Sequence, residues 1–199
     1  MLKQIAFIVI FLFSLVSCFE NFEKIPDNYI GDEHLLKQIK PDSTIEYWQI
    51  DYLSGFTPEK IFSDGNQNLS TQIPLHDNLN PEGIFKGYQP LDYNYRILYI
   101  ENNKWHIVQN KDELKEFIGK IENEYEAFLI ARIHDYAIDS DSKGNGFEQT
   151  QYGYKLKVMI YSICPETKQS IIVTVDTNGN LSKLKDSGYY LKSKDCITY

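Results

Sequence analysis

The sequence is poor in basic residues and lacks the compositional biases of fibrous or disordered proteins. Lysine and arginine number 20 against 28 aspartates and glutamates, which gives a net charge of −8 over 199 residues. Nucleic-acid binding requires clustered basic side chains that neutralise phosphates, so this balance argues against nucleic acid as the main partner. The composition also excludes collagen-like, coiled-coil and low-complexity classes. A chain of this length can bury a sizeable core as one domain.

The common catalytic and cofactor motifs are also missing. The sequence contains no P-loop, dinucleotide-binding fingerprint, zinc motif or nucleophile elbow. The histidines lack the i, i+4 partner of a helical metal site and are expected to be structural or surface residues: His34, His76, His106 and His134. Three acidic residues are expected to form a solvated face: Glu122, Glu124 and Glu126. We therefore expect no catalytic residue and no cofactor.

The segment from Asp139 to Asn145 resembles the start of an EF-hand loop, which needs oxygen ligands at alternate positions. Lys143 stands at the fifth position, where its charge would repel a cation, and Thr150 replaces the bidentate glutamate. We expect a flexible loop between strands here and no bound metal.

The first eighteen residues form the most distinctive pattern in the chain. Lys3 precedes an apolar run from Ile5 to Leu12, and the apolar character continues to Val16 with Ser14 as the interruption. A membrane-spanning helix needs about 20 apolar residues, so this run is short for a span. A positive start, a short apolar run and small residues before a cleavage point are typical of a secretory signal peptide.

The residues Leu15-Val16-Ser17-Cys18 resemble the lipobox of bacterial lipoproteins, and the chain is similar in leader and length to lipoproteins of Bacteroidota. The resemblance implies that the signal peptide is cleaved before Cys18 and that Cys18 is acylated with fatty acids such as palmitate. Several acyl chains on Cys18 would hold the protein durably on a membrane of the cell envelope. Two alternatives stay open: an ordinary cleaved signal with a chance cysteine, and a retained transmembrane anchor.

The residues after Cys18 bear on the choice of membrane. Phe19 stands where an aspartate favours inner-membrane retention in enterobacterial lipoproteins, so we expect the outer membrane. Glu20 and Glu23 resemble a sparse form of the acidic surface-export signal of Bacteroidota lipoproteins, and the periplasmic and surface faces both stay open. The mature chain would carry 19 basic and 28 acidic residues. We therefore expect attachment through acyl chains alone, because an acidic chain gains nothing from anionic lipids.

Asp42-Ser43-Thr44 resembles the O-glycosylation motif of exported Bacteroidota proteins. The resemblance would make Ser43 the modified residue.

The cysteine count is consistent with export if Cys18 carries lipid, because Cys164 and Cys196 then remain as a pair. In an oxidising compartment an even pair implies one disulfide. It would close a loop of roughly 30 residues and stabilise the fold by roughly 3 to 4 kcal/mol. The alternative is two buried free thiols.

We divide the chain into a signal peptide over residues 1–17, a tether over 18–44 and a single globular domain over 45–199. The tether is polar and is interrupted by Pro26, Gly31 and Pro41, so we expect it to lift the domain off the membrane.

Within the domain, alternating and β-branched residues predict antiparallel strands. The strands are predicted at 45–53, 95–101, 105–109, 154–160, 170–176 and 181–185. Hairpin turns are predicted at Asn102 to Lys104 and at Asn178-Gly179. Glycines and prolines break residues 54–94 into loops and short strands.

A helix is predicted after Asn110, which forms a capping pair with Glu113 and is followed by an apolar stripe. The stripe comprises Leu114, Phe117, Ile118 and Ile121. The helix is expected to end at Asn123. Residues 125–139 are ambiguous between helix and strand, and the consecutive apolar residues 128–130 favour a strand buried on both faces.

These elements predict an α+β fold, in which an antiparallel sheet has one main helix packed across it. The order of a helix followed by long strands resembles cystatin-like or NTF2-like arrangements, and this resemblance is one of pattern alone.

The fifteen tyrosines suggest a recognition surface. Tyr88, Tyr93 and Tyr95 crowd one region together with Tyr99, although tyrosine is also an ordinary strand residue. We hypothesise a non-enzymatic envelope lipoprotein that binds another envelope or extracellular protein, in an inhibitor, immunity or assembly role. The alternatives are a hydrolase of envelope polymers, with its site in 54–94, and a carrier of a small ligand between helix and sheet.

Overall fold

The computed structural model describes residues 21–54, 57–72, 83–85 and 93–196. Over these residues the fold is α+β, as predicted, with two four-stranded antiparallel sheets. The first sheet contains β1 (Ile45–Ser54), β2 (Thr57–Gly65), β3 (Tyr93–Glu101) and β4 (Lys104–Val108), in the order β2-β1-β3-β4. The second contains β5 (Gly146–Thr150), β6 (Gly153–Ile163), β7 (Glu166–Asp176) and β8 (Leu181–Lys192), in chain order.

The helices are α1 (Asp32–Leu36), α2 (Lys111–Ile118) and α3 (Glu124–Ile133). One main helix was predicted, whereas α2 and α3 follow each other and pack together. The inner faces of both sheets and all three helices contribute to one hydrophobic core. Among the described residues, no helix combines the length and the apolar character needed to cross a membrane.

Helix α2 matches its prediction closely. The Asn110 side chain accepts a hydrogen bond from the Glu113 backbone at 2.9 Å, and the Glu113 carboxylate accepts one from the Gln109 backbone at 2.8 Å. The predicted apolar stripe is buried throughout. The helix ends at Ile118 because Gly119 adopts a φ of 65°, a left-handed conformation that favours glycine. Asn123, predicted as a helix stop, caps the start of α3 instead.

Residues 124–133 form helix α3, so the preference for a strand at 125–139 is wrong. Five consecutive side chains, from Ala127 to Ala131, have no exposed surface. The helix contacts β6, β7, α1 and α2, and is thus enclosed on several sides. Such enclosure removes the polar stripe by which a surface helix is recognised in a sequence.

Glu126 is fully buried in α3, so the prediction of a solvated acidic face is wrong for this residue. Its carboxylate accepts hydrogen bonds from the backbone of Lys40 at 2.8 Å, Glu122 at 2.7 Å and Asn123 at 3.2 Å. Burial raises the pKa of Glu126, and these three hydrogen bonds oppose the rise. The carboxylate therefore joins the N-terminal segment to the start of α3.

Much of the segment assigned to a tether is packed into the domain. Ile25, Leu35 and Leu36 have no exposed surface, and Ile39 is 4% exposed. The Arg132 guanidinium on α3 donates to both carboxylate oxygens of Asp32, at 2.7 and 3.0 Å. The packed domain therefore begins well before residue 45, because these apolar residues belong to the shared core and α1 packs against α3.

The predicted strands are present, and residues 54–94 contain β2 in addition. Pro58 is tolerated in β2 because this strand lies at the sheet edge, where a missing N–H removes no ladder bond. On β6, Tyr154, Leu156 and Val158 are buried as predicted, whereas Ile160 is 41% exposed and lies beyond the core.

The predicted disulfide between Cys164 and Cys196 is confirmed, with the two Cα atoms 4.3 Å apart. It joins the β6–β7 turn to the end of the described chain. The Glu166 N–H donates to the Asp195 carbonyl at 3.0 Å and reinforces this connection.

We predict that Glu126→Ala lowers the free energy of unfolding by about 2 to 3 kcal/mol, because it leaves three buried backbone donors unsatisfied. Glu126→Gln keeps one carbonyl acceptor and removes the titratable charge, so it separates the effect of charge from the loss of hydrogen bonds. Since the pKa is raised in the folded state, the carboxyl's contribution to stability falls as pH rises from its ordinary pKa of 4.5 through the raised value.

Urea unfolding at pH 4 and pH 7 checks this prediction. The stability of the wild type relative to Glu126→Gln should decrease between the two pH values, and Glu124→Gln serves as the control. A relative stability that increases with pH would contradict the assignment.

Candidate binding cleft

A cleft of about 500 Å³ lies between the edge strand β4 and helix α2. The β3–β4 hairpin forms one wall, and its turn residues Asn102 and Asn103 have φ values of 51° and 57°, as a tight hairpin turn requires. Two residues separate β4 from helix α2, which forms the other wall. The lining residues are Asp42, Ile45, Tyr99, Glu101, Trp105, His106, Ile107, Val108, Glu113, Glu116 and Phe117.

Aromatic rings form part of the cleft. Tyr99 and His106 are direct partners across β3 and β4, so their side chains share one face of the sheet. The two rings stack with centroids 4.9 Å apart and an interplanar angle of 17°. Phe117 of α2 lies 5.1 Å from the Tyr99 ring. The cleft therefore offers flat apolar surface beside polar groups.

The charges that line the cleft are negative. Four lining residues are acidic, namely Asp42, Glu101, Glu113 and Glu116, and none of the described lining residues is lysine or arginine. Burial raises the pKa of Tyr99, and the charges of Glu101, Glu116 and Glu113 raise it further. The pKa of Asp42 is lowered, first by the Thr44 backbone N–H and with a smaller contribution from the Lys120 charge. This electrostatic environment favours a positively charged ligand.

The β4 side of the cleft is a sheet edge. No further strand in the described ranges pairs with β4. Glu101 and Lys104 flank a two-residue turn and form a hydrogen-bonded pair. In an antiparallel ladder such pairs alternate with pairs that are not hydrogen-bonded. The backbone N–H and C=O groups of Trp105 and Ile107 therefore point away from β3. Trp105 is 42% exposed. An exposed aromatic residue beside free backbone groups is typical of a protein-binding surface.

The tyrosines predicted as a recognition surface are placed differently. Tyr95 is 6% exposed and lies against Tyr52, with ring centroids 5.6 Å apart, so it belongs to the core. Tyr88 and the side chain of Tyr93 lie outside the described residues, as does Cys18. Tyr99, four residues after Tyr95 in β3, lines the cleft instead. Ser43 is exposed in a turn beside Asp42, at the cleft margin.

Sequence reasoning missed the cleft because its acidic residues come from separate elements. The hairpin turn, the Asn110 cap and the Tyr99–His106 register bring them together. The signal available in the sequence was Trp105-His106 in a short strand directly followed by an acidic helix start.

A buried polar row lies on the other face of the first sheet. Tyr47 donates to Gln49 at 3.0 Å, Gln49 donates to Asp51 at 2.8 Å, and Arg96 donates to Asp51 at 3.0 Å. The Asp51–Arg96 pair is almost fully buried. Each charge has its partner, so the row serves packing and is separate from the cleft.

A second polar cluster holds the loop that resembles an EF-hand. Asp139 accepts hydrogen bonds from Lys168 at 3.0 Å and from the Tyr190 hydroxyl at 2.8 Å. Burial alone would raise the pKa of Asp139, but these two hydrogen bonds lower it overall. The loop is therefore fixed to β7 and β8, and the flexible loop expected here is not observed. In the part of the chain that the structure describes, no group of three acidic, histidine or cysteine residues has the geometry of a metal site.

Comparison with family models, with curated proteins and with solved structures finds no match for this chain.

We predict that Glu116→Gln lowers the pKa of Tyr99, because it removes one negative charge that opposes formation of the tyrosinate. A pH titration followed by NMR, with tyrosine labelled at Cζ, measures this pKa directly. Glu59→Gln on the exposed part of β2 should leave it unchanged. An unchanged Tyr99 pKa in Glu116→Gln would show that this carboxylate does not act on the cleft.

Proposed function

We propose that this chain is a cell-envelope lipoprotein, anchored by acyl chains on Cys18, that binds another envelope or extracellular protein through the cleft between β4 and α2. The binding is non-enzymatic, in an inhibitor, immunity or assembly role. The observation that carries the proposal is the combination of four carboxylates, the exposed Trp105 and a strand edge that no other described strand pairs with, all in one cleft.

The chemistry of the cleft suits a basic segment of a partner protein. A lysine or arginine side chain gains from the acidic lining and from contact with an aromatic face. The backbone groups of Trp105 and Ile107 give an extended segment hydrogen-bond partners. These features select a partner by charge and backbone shape.

The lipobox residues Leu15 to Cys18 support the anchor, and the absence of aspartate at Phe19 supports the outer membrane. The exposure of Ser43 supports its glycosylation, since a modifying enzyme needs an accessible hydroxyl.

The composition of the cleft supports binding over hydrolysis. In the described part of the chain, His106 donates to no carboxylate and no serine lines the cleft. A second candidate, carriage of a small cationic ligand, is favoured by the cleft volume of about 500 Å³, which is within the range of small-molecule sites.

Replacing Cys18 by serine tests the anchor. We predict that Cys18→Ser abolishes incorporation of radiolabelled palmitate and moves the protein out of the detergent-soluble membrane lipoprotein fraction. Ser17→Thr keeps the cysteine and should retain both properties. Equal fatty-acid labelling of Cys18→Ser and the wild type would contradict the proposal.

A double substitution in the cleft tests the binding function. Cross-linking of the acylated protein in its native membrane, with mass spectrometry, identifies the partner, whose affinity is then measured by calorimetry. We predict that Trp105→Ala with Glu116→Lys weakens binding by at least tenfold, because it removes an aromatic contact and reverses a charge.

The matched control is Tyr152→Ala with Glu59→Lys, which changes an exposed aromatic residue and an exposed acid elsewhere. An equal loss in the control would contradict the assignment of the cleft. Binding of free lysine or a polyamine without any protein partner would support the small-ligand function instead.

A further inference from the structure

The chain enters the second sheet immediately after the proposed anchor. Phe22 lies beneath two lysines of β6, with the Lys157 and Lys155 ammonium groups 4.1 and 5.1 Å from its ring centroid. Glu23 forms a two-way backbone bridge with Phe147 of β5, with N···O distances of 2.8 and 2.7 Å. The N-terminal segment is thus fixed to this sheet from Phe22 onward.

The covalent distance from Cys18 to this contact is short. Four residues of fully extended chain span at most about 14 Å. An acylated Cys18 therefore holds Phe22 within that distance of the acyl attachment point, and the part of the sheet that contacts Phe22 stays close to it. A long tether would have allowed any orientation, whereas this short connection brings one face of the domain to the membrane.

That face is the outer face of the second sheet, which is turned away from the shared core. In the strand register, Lys157 pairs with Ile172, which pairs with Lys185, so both lysines lie on it. Lys155 lies on the same face and forms an ion pair with Glu148, in which Lys155 Nζ and Glu148 Oε2 are 3.9 Å apart. The part of this face around Lys155, Lys157 and Lys185 is therefore net positive although the chain is acidic.

The net charge of the whole chain hides a difference in charge between its C-terminal part, which forms the second sheet, and the rest. Residues 139–199 carry 8 basic and 7 acidic side chains, whereas residues 1–138 carry 12 basic and 21 acidic ones. The excess of acid is thus confined to the part of the chain that forms the first sheet, the helices and the cleft. An anionic surface attracts the second sheet and repels the first.

A cleft of about 390 Å³ on the positive face provides hydrogen-bond donors as well as charge. Lys143 and Lys157 line it together with Ser142 and Ser187, whereas the Ser170 hydroxyl donates to the Lys143 carbonyl and the Tyr190 hydroxyl donates to Asp139. The loop that carries Lys143 is held in place by the bonds of Asp139 to Lys168 and Tyr190. Ammonium and hydroxyl groups on a fixed framework suit a phosphate group.

We propose that the outer face of the second sheet, around Lys157 and Lys185, docks on anionic phospholipid headgroups of the membrane that carries the anchor. The inference rests on the proposed acylation of Cys18. It revises the expectation of attachment through acyl chains alone, because the charges of the two sheets act separately at the membrane surface.

The test uses the full-length acylated protein reconstituted in phosphatidylcholine vesicles with and without phosphatidylglycerol. A fluorophore is attached to cysteine by Ser182→Cys on the positive face or by Asn103→Cys on the β3–β4 turn, with the disulfide left intact. Nitroxide lipids should quench the Ser182 label several-fold more strongly than the Asn103 label when phosphatidylglycerol is present. The contrast should decrease in phosphatidylcholine alone.

Two double variants with the same net charge are compared, one on the proposed docking face and one on the first sheet. Lys157→Glu with Lys185→Glu should reduce the ratio of docked to undocked domain, by roughly fivefold for each lysine removed. Lys60→Glu with Lys104→Glu should leave quenching unchanged. Because Lys157 packs on Phe22, Lys185→Glu alone is included, and it should give about half of the logarithmic effect.

The outcomes separate this inference from the anchor. The mass of the N-terminal peptide shows whether Cys18 is acylated, and an unmodified Cys18 would overturn both proposals. An acylated Cys18 with equal quenching at both positions would overturn the docking face alone. Equal quenching together with NMR shifts at Lys157 on adding inorganic phosphate would assign the cleft to the free ion and overturn membrane contact.

Discussion

Helix α3 is enclosed by the second sheet, α1 and α2, and the placement of the other elements depends on this burial. Its apolar side chains complete the core, and its buried Glu126 satisfies backbone donors from both its own start and Lys40. The N-terminal segment is thereby fixed to the domain, which in turn brings Phe22 onto the second sheet. The short connection to Cys18 is a consequence of this packing.

The two sheets carry different charge, and the proposed functions divide in the same way. The first sheet supplies the acidic cleft beside β4, where Trp105 and a strand edge left unpaired among the described residues would suit a basic partner. The second sheet supplies the lysines over Phe22, four residues after the proposed anchor. In these two proposals, membrane docking by the second sheet and partner binding by the first sheet depend on the electrostatic asymmetry of one chain.

Prediction from the sequence succeeded where the determining forces are local. The Asn110–Glu113 cap, the Asn102-Asn103 turn and the period of Leu114, Phe117 and Ile118 each depend on neighbours within a few residues. It failed at α3, because a helix enclosed on several sides has no polar face and so lacks the amphipathic pattern that identifies a helix in a sequence. It also failed at Glu126, whose surroundings come from a segment more than eighty residues away.

The sequence by itself determined the α+β class and the position of most strands, because these follow from residue type and local spacing. It also predicted the pairing of Cys164 with Cys196, as the two cysteines that remain when Cys18 is set aside as the expected lipidation site. The tertiary structure alone decided which acids share a cleft, which lysines share a face, and that residues 25–39 pack against the core. Those properties depend on strand register and long-range burial, in which residues distant in the chain meet through the geometry of the whole fold.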